Sequence, residues 1–278
     1  MDHLDAAALR AALAGVPLGR VELVDEVGST STALIDAAAA DPGAWPDRSV
    51  LVAEHQQAGR GRAGRTWTTP RGVALTASVL LRPEVDPARW GWVPLLAGLA
   101  VARAVRGLGA PAVLKWPNDV LLPADPPEPG WGRYRKLAGV LAELRSGPEG
   151  PSVVVGVGVN VAQRWDQLPV PSATSLALAG VEVSRQDLLV ALLARWVELD
   201  AAWRSSGGDG AMLADAWLAL SVTIGQHVVV DLPGGGRVEG AAVGLDTGGA
   251  LLVRGTDGTT AVHAGDVRVR VSGAGSGD

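Results

Sequence analysis

Apolar positions change their spacing along this chain, and each change marks a predicted element. Leu4, Leu9 and Leu13 lie near helical spacing, and Gly15 follows as a stop, so a short helix opens the chain. Short runs that are β-branched or alternate between apolar and polar residues predict strands. These strands are Arg20–Glu26, Ser49–Glu54, Val73–Leu81, Val113–Trp116, Lys136–Arg145 and Val153–Val161.

Helical spacing recurs between these strands. Ser29 and Thr30 are suited to cap an alanine-rich helix that ends at Asp41-Pro42-Gly43. Residues 92–108 predict a helix with a buried face. Ser184 and Asp187 form a capping box before the clearest helix, DLLVALLARWVELDAAW, and a shorter helix covers residues 211–220.

The last fifth of the chain has a different pattern. Short β runs separated by Gly-Gly, Thr-Gly and Asp-Gly turns follow Leu220 and predict a small barrel-like domain. We therefore predict a catalytic domain over residues 1–221, a small β domain over 222–272 and a disordered tail over 273–278. Prolines and glycines between Pro123 and Arg135 predict an exposed, irregular loop.

Composition narrows the function. The chain has 278 residues, no cysteine and a net charge of −5, so disulfides, thiolate metal sites and a cysteine nucleophile are excluded. The negative charge disfavours a general nucleic-acid binder. The four histidines lack metal-ligand spacing. No apolar run is long enough for a membrane span, and the acidic start does not resemble a signal peptide, so we predict a cytoplasmic protein.

The segment AGRGRAGRTW, residues 58–67, alternates arginine with glycine between two strands. Glycine lets the backbone approach a ligand and present its N–H groups, and arginine binds phosphate or carboxylate oxygens, so the segment predicts a polyanion clamp. Composition alone leaves two alternatives open, an RGG-like segment that touches nucleic acid and a solvated hairpin loop. Trp67 is either a stacking surface for a base or a core residue.

The segment KWPNDVL places a cation, an amide and a carboxylate at one strand end. Lys115, Asn118 and Asp119 would suit a nucleotide with its Mg²⁺. The alternative is a β-turn in which Asn118 and Asp119 bind only their own backbone.

Lys136 begins an apolar strand, and a strand further on carries glycines at alternate positions. Gly156 and Gly158 would leave space on one face of the sheet for a flat or bicyclic ligand. Lys136, at the entrance to that space, could hold a carboxylate and then an α-phosphate. Helix packing would explain the glycines equally well, and a solvated strand end would explain the lysine. The motifs for dinucleotides, P-loops and serine hydrolases are absent from the sequence.

Taken in order, GSTS, EHQQAGRGRAGRTW, KWPNDVL, KLAGVLAEL and GVGVNV closely resemble the biotin–protein ligase family, the catalytic part of biotin repressor–ligases. The resemblance implies an α+β fold: a class II aminoacyl-tRNA-synthetase-like domain with a central mixed sheet, then a small SH3-like β-barrel. It also implies an enzyme that makes biotinyl-5′-AMP from biotin and Mg-ATP, then biotinylates one lysine of a carboxylase carrier domain.

The resemblance also implies residue roles. Ser29, Thr30 and Gln56 would hydrogen-bond the ureido ring, and residues 59–62 would close over biotin and the phosphates. The implied biotin site is Ser29, Thr30, Ser31, Gln56, Arg60, Gly61, Arg62 and Lys136. The implied ATP site is Arg62, Arg65, Trp67, Lys115 and Asn118, with Asp119 as the Mg²⁺ ligand and with Lys136, Arg60 and Arg62 as the catalytic residues.

Two features depart from the family pattern. The stretch before Val24 is too short for the winged helix of the repressor members, so neither repression nor DNA binding is expected. The loop 123–135 is longer than the turn usual before the lysine. We expect no membrane association, and a monomer or weak homodimer. A lipoate or octanoate ligase is the alternative within the fold, and a non-catalytic biotin or nucleotide sensor is the alternative from another class.

Overall fold

A computed structural model describes residues 3–128, 132–147, 149–263 and 265–269. Its larger sheet has seven strands in the order β1-β2-β5-β9-β8-β7-β6. Only the β1–β2 pair is parallel, so the sheet is mixed, as predicted. The strands are β1 (Val21–Val27), β2 (Ser49–Gln56), β3 (Gly59–Arg60), β4 (Thr66–Trp67), β5 (Ala74–Leu81), β6 (Val113–Lys115), β7 (Asp119–Glu128), β8 (Gly132–Gly147) and β9 (Gly150–Asn160), with β3 and β4 forming a separate ribbon.

Helices cover both faces of this sheet. They are α1 (Ala6–Ala12), α2 (Thr30–Ala40), α3 (Trp92–Gly107), α4 (Arg185–Ser205) and α5 (Ala211–Leu218). On one face, Leu34 of α2 packs against Leu51, Leu80 and Val154. The other face carries α3 and α4 over the main core, in which tryptophan supplies the large side chains of a protein without phenylalanine. None of the described helices is both long and apolar enough to cross a membrane.

The C-terminal strands form a second, antiparallel sheet in the order β13-β12-β11-β10-β14. Within the described residues the pairing does not close, so the predicted barrel is observed as an open five-stranded sheet. The strands are β10 (His227–Asp231), β11 (Arg237–Leu245), β12 (Leu251–Gly255), β13 (Gly258–Val262) and β14 (Asp266–Val269). The predicted tail, 273–278, lies outside the described residues.

Buried tryptophans attach the second sheet to the first part of the chain. The Trp92 indole donates to the Thr247 carbonyl at 2.9 Å, and the Trp116 indole donates to the Gly249 carbonyl at 3.3 Å. Each bond satisfies the one polar atom of a side chain that is otherwise apolar. The C-terminal sheet is thereby held beside the strand end that carries Lys115.

The prediction of an irregular loop over residues 123–135 is wrong for most of that segment. β7 continues to Glu128, and β8 begins at Gly132, four residues before the predicted strand start. Pro123 pairs with Tyr134, and the next pair is Glu128 with Gly132, with a register irregularity between them. Pro126 and Pro127 therefore fall where the ladder is interrupted and a missing N–H costs little. The result is a long hairpin beside the site.

Candidate active site

A cavity of about 1820 Å³ lies between the larger sheet, the segment 58–67 and the C-terminal sheet. All residues of the predicted biotin, ATP and Mg²⁺ sites line it. These residues are Ser29, Thr30, Ser31, Gln56, Arg60, Gly61, Arg62, Arg65, Trp67, Lys115, Asn118, Asp119 and Lys136. Gly59, which is predicted to close over biotin with residues 60–62, does not line it. Residues distant in sequence thus meet at one place, although their individual roles stay predictions.

One end of the cavity carries a cluster of buried hydroxyls at the start of α2. Ser29 caps the helix, as predicted, and Thr30 donates from its backbone N–H to Gln56 Oε1 at 2.8 Å. The Thr30 hydroxyl lies 3.0 Å from the same oxygen and 2.8 Å from Ser78 Oγ. Ser31 Oγ completes the chain at 3.0 Å from Ser78 Oγ. Buried polar groups with fixed partners present their remaining donors and acceptors in one orientation, which suits a neutral polar ligand.

The floor of the cavity is a row of glycines across neighbouring strands. Gly158 on β9 pairs with Gly139 on β8, and Gly139 pairs with Asp119 on β7. A Cβ atom at Gly156 would lie 2.5 Å from Ser31 Oγ, and one at Gly158 would lie 2.5 Å from the Trp67 ring. The absence of side chains therefore creates the space, and the Trp67 indole rests on part of it.

Charged groups gather at the other end of the floor. Lys136 Nζ lies 2.6 Å from Asp119 Oδ1, and Lys115 Nζ lies 4.0 Å from Asp119 Oδ2. Lys136 Nζ also lies 5.8 Å from the Trp67 ring centroid, within the range of a cation–π contact. The Asn118 amide donates to the Val140 carbonyl at 2.9 Å, so this side chain braces β8.

The segment 58–67 forms a narrow ribbon over the cavity. Gly59 pairs with Trp67 and Arg60 with Thr66. A Cβ at Gly59 would lie 2.3 Å from the Trp67 carbonyl oxygen, so this close pairing requires glycine. Between Arg60 and Thr66 the chain turns through Ala63 and Gly64, both at positive φ. The ribbon carries three arginines over the cavity mouth.

The cavity is cationic although the whole chain carries a net charge of −5. Its lining includes two carboxylates, Asp119 and Asp231. Its cationic residues are Arg60, Arg62, Arg65, Lys115, Arg133, Lys136 and Arg237. Such local accumulation of one sign attracts polyanions.

Several residues of the site are missing from the sequence prediction. Ser78 is wholly buried behind the cavity lining, where its hydroxyl contacts those of Thr30 and Ser31, and a polar residue inside the apolar strand ALTASVLL is the available signal. Gly139 lies inside the motif KLAGVLAEL, but nothing in its local sequence indicates that it lines the cavity. Asp231 and Arg237 belong to the C-terminal sheet, and only tertiary packing brings them to the cavity.

Metal ligands are sparse at this site. Within the described ranges, no three His, Asp or Glu side chains gather in a way that could hold a metal ion. Asp119 is the carboxylate that the sequence predicts for Mg²⁺, and two lysines flank it. A protein carboxylate combined with phosphate oxygens is a common Mg²⁺ environment, so this residue fits a metal that arrives with a nucleotide.

The site thus combines a neutral hydrogen-bonding pocket with a cationic clamp, the arrangement of an enzyme that joins a polar acid to a nucleotide. Residues 27–160 match the Biotin/lipoate A/B protein ligase family, and residues 223–270 match the Biotin protein ligase C terminal domain. A biotin–[acetyl-CoA-carboxylase] ligase of Mycobacterium tuberculosis is 41% identical over 274 residues, 95% of each protein. The chain therefore belongs to the biotin protein ligase family, which confirms the predicted resemblance.

Two further relatives extend the comparison. The bifunctional ligase/repressor of Escherichia coli is 35% identical over 241 residues, which cover 84% of this chain and 69% of the repressor. A biotin protein ligase from Aquifex aeolicus, solved in complex with biotin and ATP, has a TM-score of 0.70 and 28% identity. That alignment covers 91% of this chain and 99% of the Aquifex chain.

Proposed function

We propose that this chain is an ATP-dependent biotin–[biotin carboxyl carrier protein] ligase. It activates biotin as biotinyl-5′-AMP and transfers the biotinyl group to one lysine of a carrier domain in an acyl-CoA carboxylase. The observation that carries the proposal is a single cavity with a hydroxyl cluster at one end and Lys136 at the other. The Mycobacterium relative and the biotin- and ATP-bound Aquifex structure support it.

The dimensions of the floor suit biotin. Gly158, Gly139 and Asp119 are successive cross-strand partners, so they span two strand spacings, about 10 Å. The bicyclic ring packs beside the Trp67 indole, which rests on Gly158, with its ureido group at Ser29, Thr30, Ser31 and Gln56. The aliphatic tail passes the Trp67 ring, and the carboxylate reaches Lys136.

Activation requires two anions to approach each other. A biotin carboxylate oxygen attacks the α-phosphorus of ATP, the bond to the bridging oxygen breaks, and pyrophosphate leaves. Lys136 neutralises the carboxylate and the α-phosphate, with Arg60 and Arg62 over the phosphates. Arg65 supports the ribbon, while Lys115, Asn118 and Trp67 serve the nucleotide. Asp119 is the residue that would hold Mg²⁺, and the metal would supply further charge neutralisation when it is bound.

Transfer needs no covalent link to the enzyme. The neutral amine of the acceptor lysine attacks the acyl carbon of the adenylate. AMP leaves with the electrons of the acyl–phosphate bond, and the amine loses a proton as the amide forms. Gly61, within the ribbon, lets the backbone approach the adenylate closely.

The proposal has further parts. We propose a cytoplasmic enzyme, since its acceptor and ATP are found there. We also propose a monomer or weak homodimer that binds neither DNA nor membranes. The finer fold assignment that we propose is a class II synthetase-like domain over residues 1–221 and a small SH3-like β domain over 222–272. A lipoate or octanoate ligase is the competing function, because the matched family includes lipoate enzymes.

The transfer step is tested with a purified carrier domain. With biotin and Mg-ATP, we expect the intact mass of the carrier to rise by one biotinyl group. A carrier whose acceptor lysine is replaced by arginine is the matched control and should stay unmodified. A carrier that remains unmodified with biotin, yet gains an octanoyl or lipoyl group, would contradict the proposal.

A further inference from the structure

The segment 58–67, here called the glycine-arginine loop, has two side chains that reach distant parts of the chain. The Arg60 guanidinium donates from Nη2 to Glu143 Oε2 at 2.5 Å. The Arg62 guanidinium donates to the Gly265 carbonyl at 3.1 Å. The loop is therefore tied to the larger sheet at one point and to the C-terminal sheet at another.

Glu143 lies on β8 next in line after two residues of the cavity lining, Gly139 and Leu141. On β8, Gly139, Leu141 and Glu143 are spaced by two residues and so face the same side of the sheet. Leu141 and Glu143 line a smaller cavity of about 350 Å³ together with residues of the loop. The carboxylate thus lies beneath the loop, and its other oxygen accepts a bond from Arg145 at 3.2 Å.

We infer that Glu143 is a positioning residue for biotin activation, because it orients Arg60 and holds the glycine-arginine loop over the cavity. The inference rests on the proposed function. An arginine has five N–H donors, so a guanidinium fixed by one carboxylate can still present donors to a ligand. Glu143 acts only through Arg60 and does not itself touch the reacting atoms.

The composition of the loop explains why such a tie is needed. Ala63, Gly64, Arg65 and Thr66 are all exposed, so little apolar burial holds the loop in place. Glycine raises the conformational entropy that is lost on ordering, and Ala63 adopts a left-handed conformation that alanine disfavours. Polar contacts such as the Arg60–Glu143 pair must therefore supply much of the order.

The central variant is Glu143→Gln, which keeps the shape of the side chain and removes its charge. We expect the KM for biotin in pyrophosphate release to rise roughly tenfold, with a smaller change in kcat, since a hydrogen bond to a charged group is lost. Trypsin should cut after Arg62 and Arg65 faster than in the unaltered protein. The matched control is Glu198→Gln, which breaks an exposed ion pair with Arg195 on α4 and should change neither measurement.

A double-variant cycle separates positioning from a general effect on folding. Arg60→Gln removes the other partner of the ion pair. Because Arg60 lies on an exposed loop, this variant also tests the loss of the pair if Glu143→Gln does not fold. If Glu143 acts through Arg60, the double variant is no worse than Arg60→Gln alone. A further tenfold loss in that background, or Glu143→Gln behaving like the unaltered protein, would overturn the inference. Failure of the unaltered protein to use biotin would reject the proposed function instead, while the trypsin comparison without ligand still tests the Glu143–Arg60 tie.

Discussion

The ammonium group of Lys136 lies 2.6 Å from the Asp119 carboxylate, and the second oxygen of that carboxylate lies 4.0 Å from Lys115 Nζ. One carboxylate thus fixes the cation on which the proposed reaction depends. The hydroxyl cluster at the far end of the cavity is independent of this pair. Binding of the ureido group and activation of the carboxylate should therefore be separable by mutation.

Lys136→Ala should slow adenylate formation by about a hundredfold or more and leave biotin binding weakened but detectable. Loss of a well-placed cation in a water-poor site costs about 3 kcal/mol or more in the transition state, on the order of a hundredfold in rate. Lys136→Arg should restore only part of the rate, because a planar guanidinium group does not replace a compact ammonium group. Calorimetry with biotin and pyrophosphate release with Mg-ATP measure the two effects.

Lys115→Ala is the matched control for this prediction. It removes the lysine farther from Asp119, so we expect a smaller loss of rate than for Lys136→Ala. Near-native turnover by the Lys136→Ala enzyme would refute the role assigned to that residue.

Gly156→Ala should weaken biotin binding, because the added Cβ would lie 2.5 Å from Ser31 Oγ within the hydroxyl cluster. The chain offers a matched control in Gly107, the last residue of α3, where a Cβ meets nothing within 4 Å. Gly107→Ala should leave binding unchanged and slightly raise the free energy of unfolding. Biotin titration of both variants measures the difference, and equal affinities would argue against a ligand at Gly156.

Arg185→Ala should be among the most destabilising single changes outside the cavity. Arg185 is 1% exposed, and its Nη2 lies 2.7 Å from Glu54 Oε2. Its removal leaves the buried Glu54 carboxylate without its cation, at a cost of about 3–5 kcal/mol. Urea denaturation followed by tryptophan fluorescence measures the loss. The double variant Arg185→Leu with Glu54→Leu should recover much of it, and a loss below about 1 kcal/mol in Arg185→Ala would contradict this account.

The motif residues could be located from the sequence because glycine, arginine, lysine and proline carry strong local signals. Ser29 was predicted at a helix start and caps α2. Ser78 and Glu143 were missed because their importance arises from strands that meet only in the folded chain. The sequence does not predict the hairpin at 123–135 because its prolines favour irregular structure. The strands form there because they pair with each other in the folded chain, with Leu122 opposite Arg135.

The proposed function is tested most directly by ATP–pyrophosphate exchange with biotin, lipoate and octanoate offered separately to the same enzyme. Thr30 and Gln56 belong to a buried hydrogen-bonded cluster that offers polar partners to a ureido ring. A site built on such bonds rejects acids that leave its polar groups unpaired. We predict that biotin alone supports exchange. Exchange with octanoate or lipoate but not with biotin would contradict the account.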